Sequence, residues 1–210
     1  MLSMFQIFFR KLVQKKLFWV LVVSFSFFTP IIRSVNRPLP PPPSELFEVA
    51  PFKLIDENKI VFLSESLKQK FSIVHFHFSH CPTICPKMLE ATRLIEKRIR
   101  GLGQSVVILS ITVDPENDTP EVLFSLARKY KANPFVWKFL TGSKDEINHL
   151  VSSFKQPNLT KKQDASGYDI VHSGSYFVVD KKMMVRGIYQ NDKVGINQMM
   201  IDLGLLVNRI

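Results

Sequence analysis

The chain has 210 residues, 46% hydrophobic and 22% charged, enough for one sizeable domain with an appendage but not for two ordinary domains. Its formal net charge is +10, but residues 1–44 hold Arg10, Lys11, Lys15, Lys16, Arg33 and Arg37 with no acidic residue, leaving 22 basic and 18 acidic residues beyond. A nucleic-acid binder clusters its positive charge on the folded domain; here most of the excess flanks an apolar segment, which argues against that class and points to membrane orientation.

The first element is that segment. Leu17 to Ile32, LFWVLVVSFSFFTPII, carries no charge. As a helix it spans about 24 Å, short of a hydrocarbon core of about 30 Å, with Lys15, Lys16 and Arg33 placed to snorkel at its ends. A cleaved signal peptide shares the charged start and apolar middle. No small-x-small cleavage site follows, however, because Phe27, Phe28, Thr29 and Pro30 occupy that region. Four basic residues before the run and prolines after it argue against a buried core helix. The expectation is a cytoplasmic segment over 1–16, one transmembrane anchor over 17–32, and residues 33–210 outside. The opening lacks the Arg- and Ser-rich character of a mitochondrial presequence, which favours a bacterial inner membrane with a periplasmic domain. A Pro-rich linker over 33–47 follows, with Arg37-Pro38-Leu39-Pro40-Pro41-Pro42-Pro43 at its centre. It serves either as a stiff extended spacer, at about 3.1 Å per residue, or as an ordinary linker.

The folded domain takes 48–210. Phe71 to Phe78 (FSIVHFHF) is an aromatic and β-branched run, expected as a buried strand. In Lys87 to Leu102, apolar residues recur at Met88, Ala91, Leu94, Ile95, Ile99 and Leu102, the spacing of an amphipathic helix. Val106 to Val113 is a second buried strand. Thr119-Pro120-Glu121 starts a helix, with a Thr N-cap and Pro at its first position, running to about Tyr130. Trp137 to Leu140 is a third strand and Ser143 to Phe154 a third helix. Lys155 to Asp169 is polar and long for a connection, and is expected to be mobile. Tyr176 to Asp180 and Met183 to Tyr189 form a hairpin, and Val194 to Val207 closes the chain as a helix. This order predicts an α/β fold with a mixed central sheet flanked by helices.

The only two cysteines, Cys81 and Cys85, lie in His80-Cys81-Pro82-Thr83-Ile84-Cys85-Pro86, where the first of these strands gives way to its helix. Four residues apart, they suit a disulfide or one shared metal ion. A helix start stabilises negative charge and so lowers a thiol pKa. A purely structural staple would constrain little chain and gain little. Two sulfurs leave a soft-metal site incomplete, and His172, at the start of a strand after the polar stretch, is the best third ligand. Its place on a mobile segment would let it approach and leave the metal. His75 and His77 share one sheet face and read as core or supporting residues. His80 adjoins Cys81 and either tunes it or adds a ligand, and His149 reads as surface. Two Cys and one His favour Cu(I) and accept Cu(II); structural zinc would want a fourth ligand.

Three segments resemble the Sco/SenC family of copper-binding cytochrome c oxidase assembly proteins: Phe78 to Pro86, Val113 to Pro120 and Val171 to Asp180, supported by Leu140-Thr141-Gly142 and the single N-terminal anchor. The resemblance covers about residues 48–205. Thr83, Asn117 and Val171 depart from common family residues, and none is a ligand. The resemblance implies a thioredoxin-like fold and a membrane-anchored copper metallochaperone. Copper would be held by Cys81, Cys85 and His172. The partner would be the copper-containing subunit of a respiratory oxidase or another exported copper protein. The alternative is a thiol–disulfide oxidoreductase in which Cys81 and Cys85 form a catalytic redox disulfide; a thiol peroxidase would leave the cysteine pair and His172 unexplained.

Overall fold

The apolar run at the N-terminus forms α1 (Lys16–Val35), a 20-residue helix with Pro30 inside it. It is longer than the sequence reading allows, because Lys16 and Arg33 are helical as well. At 1.5 Å per residue it reaches about 30 Å, the thickness of a hydrocarbon core. Its Lys16–Arg33 window has mean hydropathy 1.5 and no buried residue, with Phe25 and Phe27 each about 70% exposed. The helix is thus long and apolar enough to cross a membrane. The computed structural model describes residues 15–35, 40–81, 84–156, 161–164, 167–170 and 174–209. It divides into two compact units, Met1–Pro40 and Pro41–Ile210.

The second unit begins with three strands, β1 (Phe47–Glu48), β2 (Lys53–Asp56) and β3 (Val61–Leu63). There follow β4 (Phe71–His77), α2 (Ile84–Arg98), β5 (Val106–Thr112), α3 (Pro120–Tyr130), β6 (Trp137–Thr141) and α4 (Lys144–Ser153). The chain ends with β7 (Lys161–Asp164), β8 (Gly167–Ile170), β9 (Ser175–Val179), β10 (Met184–Gln190) and α5 (Lys193–Arg209). One eight-stranded sheet has the order β1-β10-β9-β4-β5-β6-β2-β3. Its centre, β4-β5-β6, is parallel, and its other neighbours pair antiparallel.

All seven residues of β4 and of β5 are buried, as expected of parallel strands covered on both faces. Alternation along β4 divides the core. Phe71 and Ile73 face Met88, Leu89 and Ile95 of α2, Leu123 of α3, and Met199, Leu203 and Leu206 of α5. Val74 and Phe76 face Ile147, Leu150 and Val151 of α4 together with Phe154 and Phe177. The helix starts follow their sequence signals. Thr119 caps α3 with Pro120 in the first turn, and Ser143 with Glu146 forms a reciprocal capping box on α4.

Several expectations change. Helix α2 begins at Ile84 rather than Lys87, which places Cys85 inside its first turn. Pro86 does not forbid this, since the first-turn N–H groups have no partner within a helix. The helix stops at Arg98 and a short 3-10 stretch, Arg100–Ser105, continues it to β5, with Gly103 at φ 58°. Strands β1 to β3 are additions, too short for the sequence pattern to single out. The polar stretch 155–169 is not wholly irregular: β7 lies in it and pairs antiparallel with β8, which runs one residue past its end, Lys161 opposite Ile170 through Asp164 opposite Gly167. The rest of that expectation, with its mobility, lies outside the described residues. The proline run ends against the sheet: Arg186 of β10 donates from Nε to the Pro43 carbonyl at 3.0 Å and from Nη1 to Asp180 at 2.9 Å.

Candidate metal centre

The site grows from the C-terminal end of β4, in the middle of the sheet. The Val113 N–H donates to the His77 carbonyl at 2.8 Å, carrying the parallel ladder one step past the strand end. Phe78 stays buried, and the chain then turns, with the Cys81 N–H donating to the Phe78 carbonyl at 3.4 Å. Cys81 and Cys85 are 5% and 1% exposed and both are thiols. The Cys85 N–H, in the first turn of α2, donates to the Cys81 sulfur at 3.4 Å. The thiolate is the form of cysteine that binds soft metals and attacks disulfides. Beneath the pair lies an apolar floor in which the rings of Phe76, Phe154 and Phe177 stand edge to face, 5.0–6.1 Å apart.

Between the cysteines, Ile84 is 43% exposed. A Cβ placed on Gly174 would lie 3.3 Å from Ile84 Cδ1, so the backbone leading into β9 passes against the cysteine-bearing helix start. His172, two residues before Gly174, lies outside the described residues, as do Pro82 and Thr83. Among the described residues no three His, Cys, Asp or Glu side chains are grouped to hold a metal.

The other histidines fall as the sequence suggests. His75 and His77 are fully buried on one face, ring centroids 6.0 Å apart. His75 Nε2 is 2.6 Å from Ser110 Oγ, which also accepts from Trp137 Nε1 at 2.7 Å. Tyr176 OH is 3.0 Å from Thr92 Oγ1 and donates to the Met88 carbonyl at 2.9 Å, tying β9 to α2. Burial pushes the Tyr176 phenol up from its ordinary value. His80 is exposed with Nδ1 2.9 Å from Ser79 Oγ, and His149 is exposed on α4.

Sequence reasoning missed the role of the turn after β5. The Asp118 N–H donates to the Asp114 carbonyl at 2.9 Å, and Asn117 Nδ2 to Asp114 Oδ2 at 2.9 Å. This closes Asp114-Pro115-Glu116-Asn117-Asp118 into a compact loop. The fully buried Asp118 carboxylate accepts the Ser79 N–H at 3.0 and 3.2 Å and the Thr112 hydroxyl. The run of acidic residues was visible in the sequence, but its target, 39 positions away, was not.

The SCO1/SenC family model matches residues 42–207. An SCO2-like protein of Rickettsia prowazekii is 36% identical over 135 residues, covering 62% of this chain and 63% of that protein's length. The fold is similar to that of BsSco, described as a member of the Sco family of cytochrome c oxidase assembly proteins with a disulfide switch. Identity is 29% and the TM-score 0.67, over 80% of this chain and 97% of that one. Arabidopsis thaliana ScoI, solved with copper bound, is 28% identical with a TM-score of 0.63, over 77% of this chain and 98% of that one.

Proposed function

The chain belongs to the SCO1/SenC family, and on that premise we propose that it is a membrane-anchored copper metallochaperone. It takes one copper ion as cargo on Cys81, Cys85 and His172. It delivers that ion to, or prepares by thiol reduction, the binuclear copper centre of cytochrome c oxidase. The observation that carries the reading is the pairing of the chain's only two cysteines at one helix start, with the Cys85 N–H on the Cys81 sulfur at 3.4 Å. The third ligand is supported by chain geometry. In sequence His172 stands two residues before Gly174, and a Cβ built on Gly174 would lie 3.3 Å from Ile84 Cδ1, Ile84 itself standing between the two cysteines in sequence. The copper-bound Arabidopsis relative supports the choice of metal. Two thiolates with an imidazole suit Cu(I) and accept Cu(II).

Helix α1 is the anchor, with the larger basic cluster before it on the cytoplasmic side of a bacterial inner membrane and the domain on the outer side. The thiol–disulfide oxidoreductase reading also has support, since a disulfide switch is described for BsSco. In it the Cys81 and Cys85 thiols become a disulfide while a partner disulfide becomes two thiols, so protons and electrons balance without another reactant. The test is copper stoichiometry of the reduced, detergent-solubilised chain. One copper per chain is expected, with weakened binding in His172→Ala. Thiol exchange with an oxidised partner that proceeds equally in His172→Ala, with no copper bound by the parent chain, would favour the second reading.

A further inference from the structure

The geometry points to Asp118 as a positioning residue for the cysteine pair, an inference that rests on the copper-site reading above. Asp118 is fully buried, and carboxylates are almost never buried unless paired or hydrogen-bonded. Its two oxygens take up the Ser79 N–H, at 3.0 and 3.2 Å, and the Thr112 hydroxyl. Thr112 ends β5 and its Oγ1 accepts the Asp114 N–H at 3.0 Å, so the group holding Asp118 is itself fixed to the sheet. On the other side, Ser79 stands two residues before Cys81, inside the turn closed by the Cys81 N–H on the Phe78 carbonyl. The connection therefore runs from the rigid end of β5, through Asp118, to the turn that carries Cys81. From there it reaches the Cys81 sulfur, on which the Cys85 N–H rests.

Helix α2 holds Cys85 by its own backbone bonds. Cys81 lies before the helix, at the end of the turn from Phe78 to Cys81. Asp118 holds the Ser79 N–H in the middle of that turn and so contributes to where Cys81 stands relative to Cys85. Without the carboxylate, the Ser79 N–H loses its partner and the turn can relax. The average separation of the sulfurs then departs from what one metal ion or one disulfide requires. Two different chemistries at the site should change together, although Asp118 touches neither sulfur.

The experiment uses the full chain in detergent with two readouts. One is Cu(I) affinity by chelator competition. The other is the equilibrium of the Cys81–Cys85 disulfide in glutathione buffers, which needs no copper. In Asp118→Ala, Cu(I) should bind about tenfold or more weakly, the range for losing a group that orients a metal ligand, and the disulfide equilibrium should shift. Asp118→Asn, which keeps an acceptor oxygen for Ser79, should lie between. A merely structural role would lower the melting temperature while leaving both readouts of the folded protein at parent values, and that result overturns the inference. If Asp118→Ala does not fold, Thr112→Val decides on the same two readouts: a shift supports the inference and parent values overturn it. Copper binding in the parent that survives Cys81→Ser would sink the copper reading instead, with the disulfide arm still judging Asp118.

Discussion

Cys81 and Cys85 are the only thiols in the chain, so neither has a substitute. In the proposed site, removing one would leave a single thiolate and the His172 imidazole, too few soft ligands for tight Cu(I) binding. Cys81→Ser and Cys85→Ser are each expected to abolish tight binding in competition with a Cu(I) chelator, and full affinity in either would refute the site. A different residue-scale effect belongs to Tyr176 and Tyr189, whose phenols burial pushes up, Tyr189 also through its 2.8 Å bond to Asp202. A group whose folded pKa is raised contributes stability that is complete below its unfolded value and is lost as pH rises. For tyrosine that loss begins near pH 10. The urea midpoint should therefore fall from about pH 10 upward, and less steeply in Tyr176→Phe. At neutral pH the same change should cost about 1 kcal/mol, because Thr92 still donates to the Met88 carbonyl at 2.8 Å.

Among the elements, α4 and β10 carry the clearest consequences. The Ser143 side chain accepts the Glu146 N–H, and Glu146 Oε2 accepts the Ser143 hydroxyl at 2.7 Å and the Ser143 N–H at 2.9 Å, bonds that hold the Glu146 carboxyl below its ordinary range. A depressed carboxyl contributes stability above its unfolded value, and that part is lost as pH falls below about 4.5. Ser143→Ala should cost about 1 kcal/mol at neutral pH, by chemical denaturation, with the deficit shrinking in acid. On β10, Arg186 is shared among the Pro43 carbonyl, Asp180 and, at 3.5 Å, Glu45. Arg186→Ala should release the end of the proline run. Proteolysis near Pro43 should then accelerate severalfold while copper affinity stays at its parent value. The capping box and the helix that it starts are legible in sequence, because a cap and its partner are three residues apart. The Arg186 staple is not, because its acceptor lies 143 positions away and is a backbone carbonyl with no side-chain signature.

For the molecule as a whole, the charge asymmetry and α1 predict behaviour at a membrane. The chain should stay in the membrane pellet through alkaline carbonate washing, and the domain should resist protease in inside-out vesicles, if the anchor and its orientation are right. Digestion of the domain in sealed inside-out vesicles would reverse the orientation. Several features were fixed by the sequence alone. They are the apolar run bounded by cations, the buried central strands β4 and β5, the helices α3 and α4 with their caps, and the CxxxC pair at a strand-to-helix junction. Each depends on residues within a turn or two of one another, where periodicity and capping act. Tertiary structure decided the rest. It set the eight-strand order, with short β1, β2 and β3 added at its two edges, and the start of α2 before Pro86. It also set the pairing of Asp118 with Ser79 and of Tyr176 with Met88. Short edge strands bury too few side chains to leave a pattern. A buried polar group finds its partner only after distant segments have packed, so that choice is made by the folded chain and not by any local stretch of it.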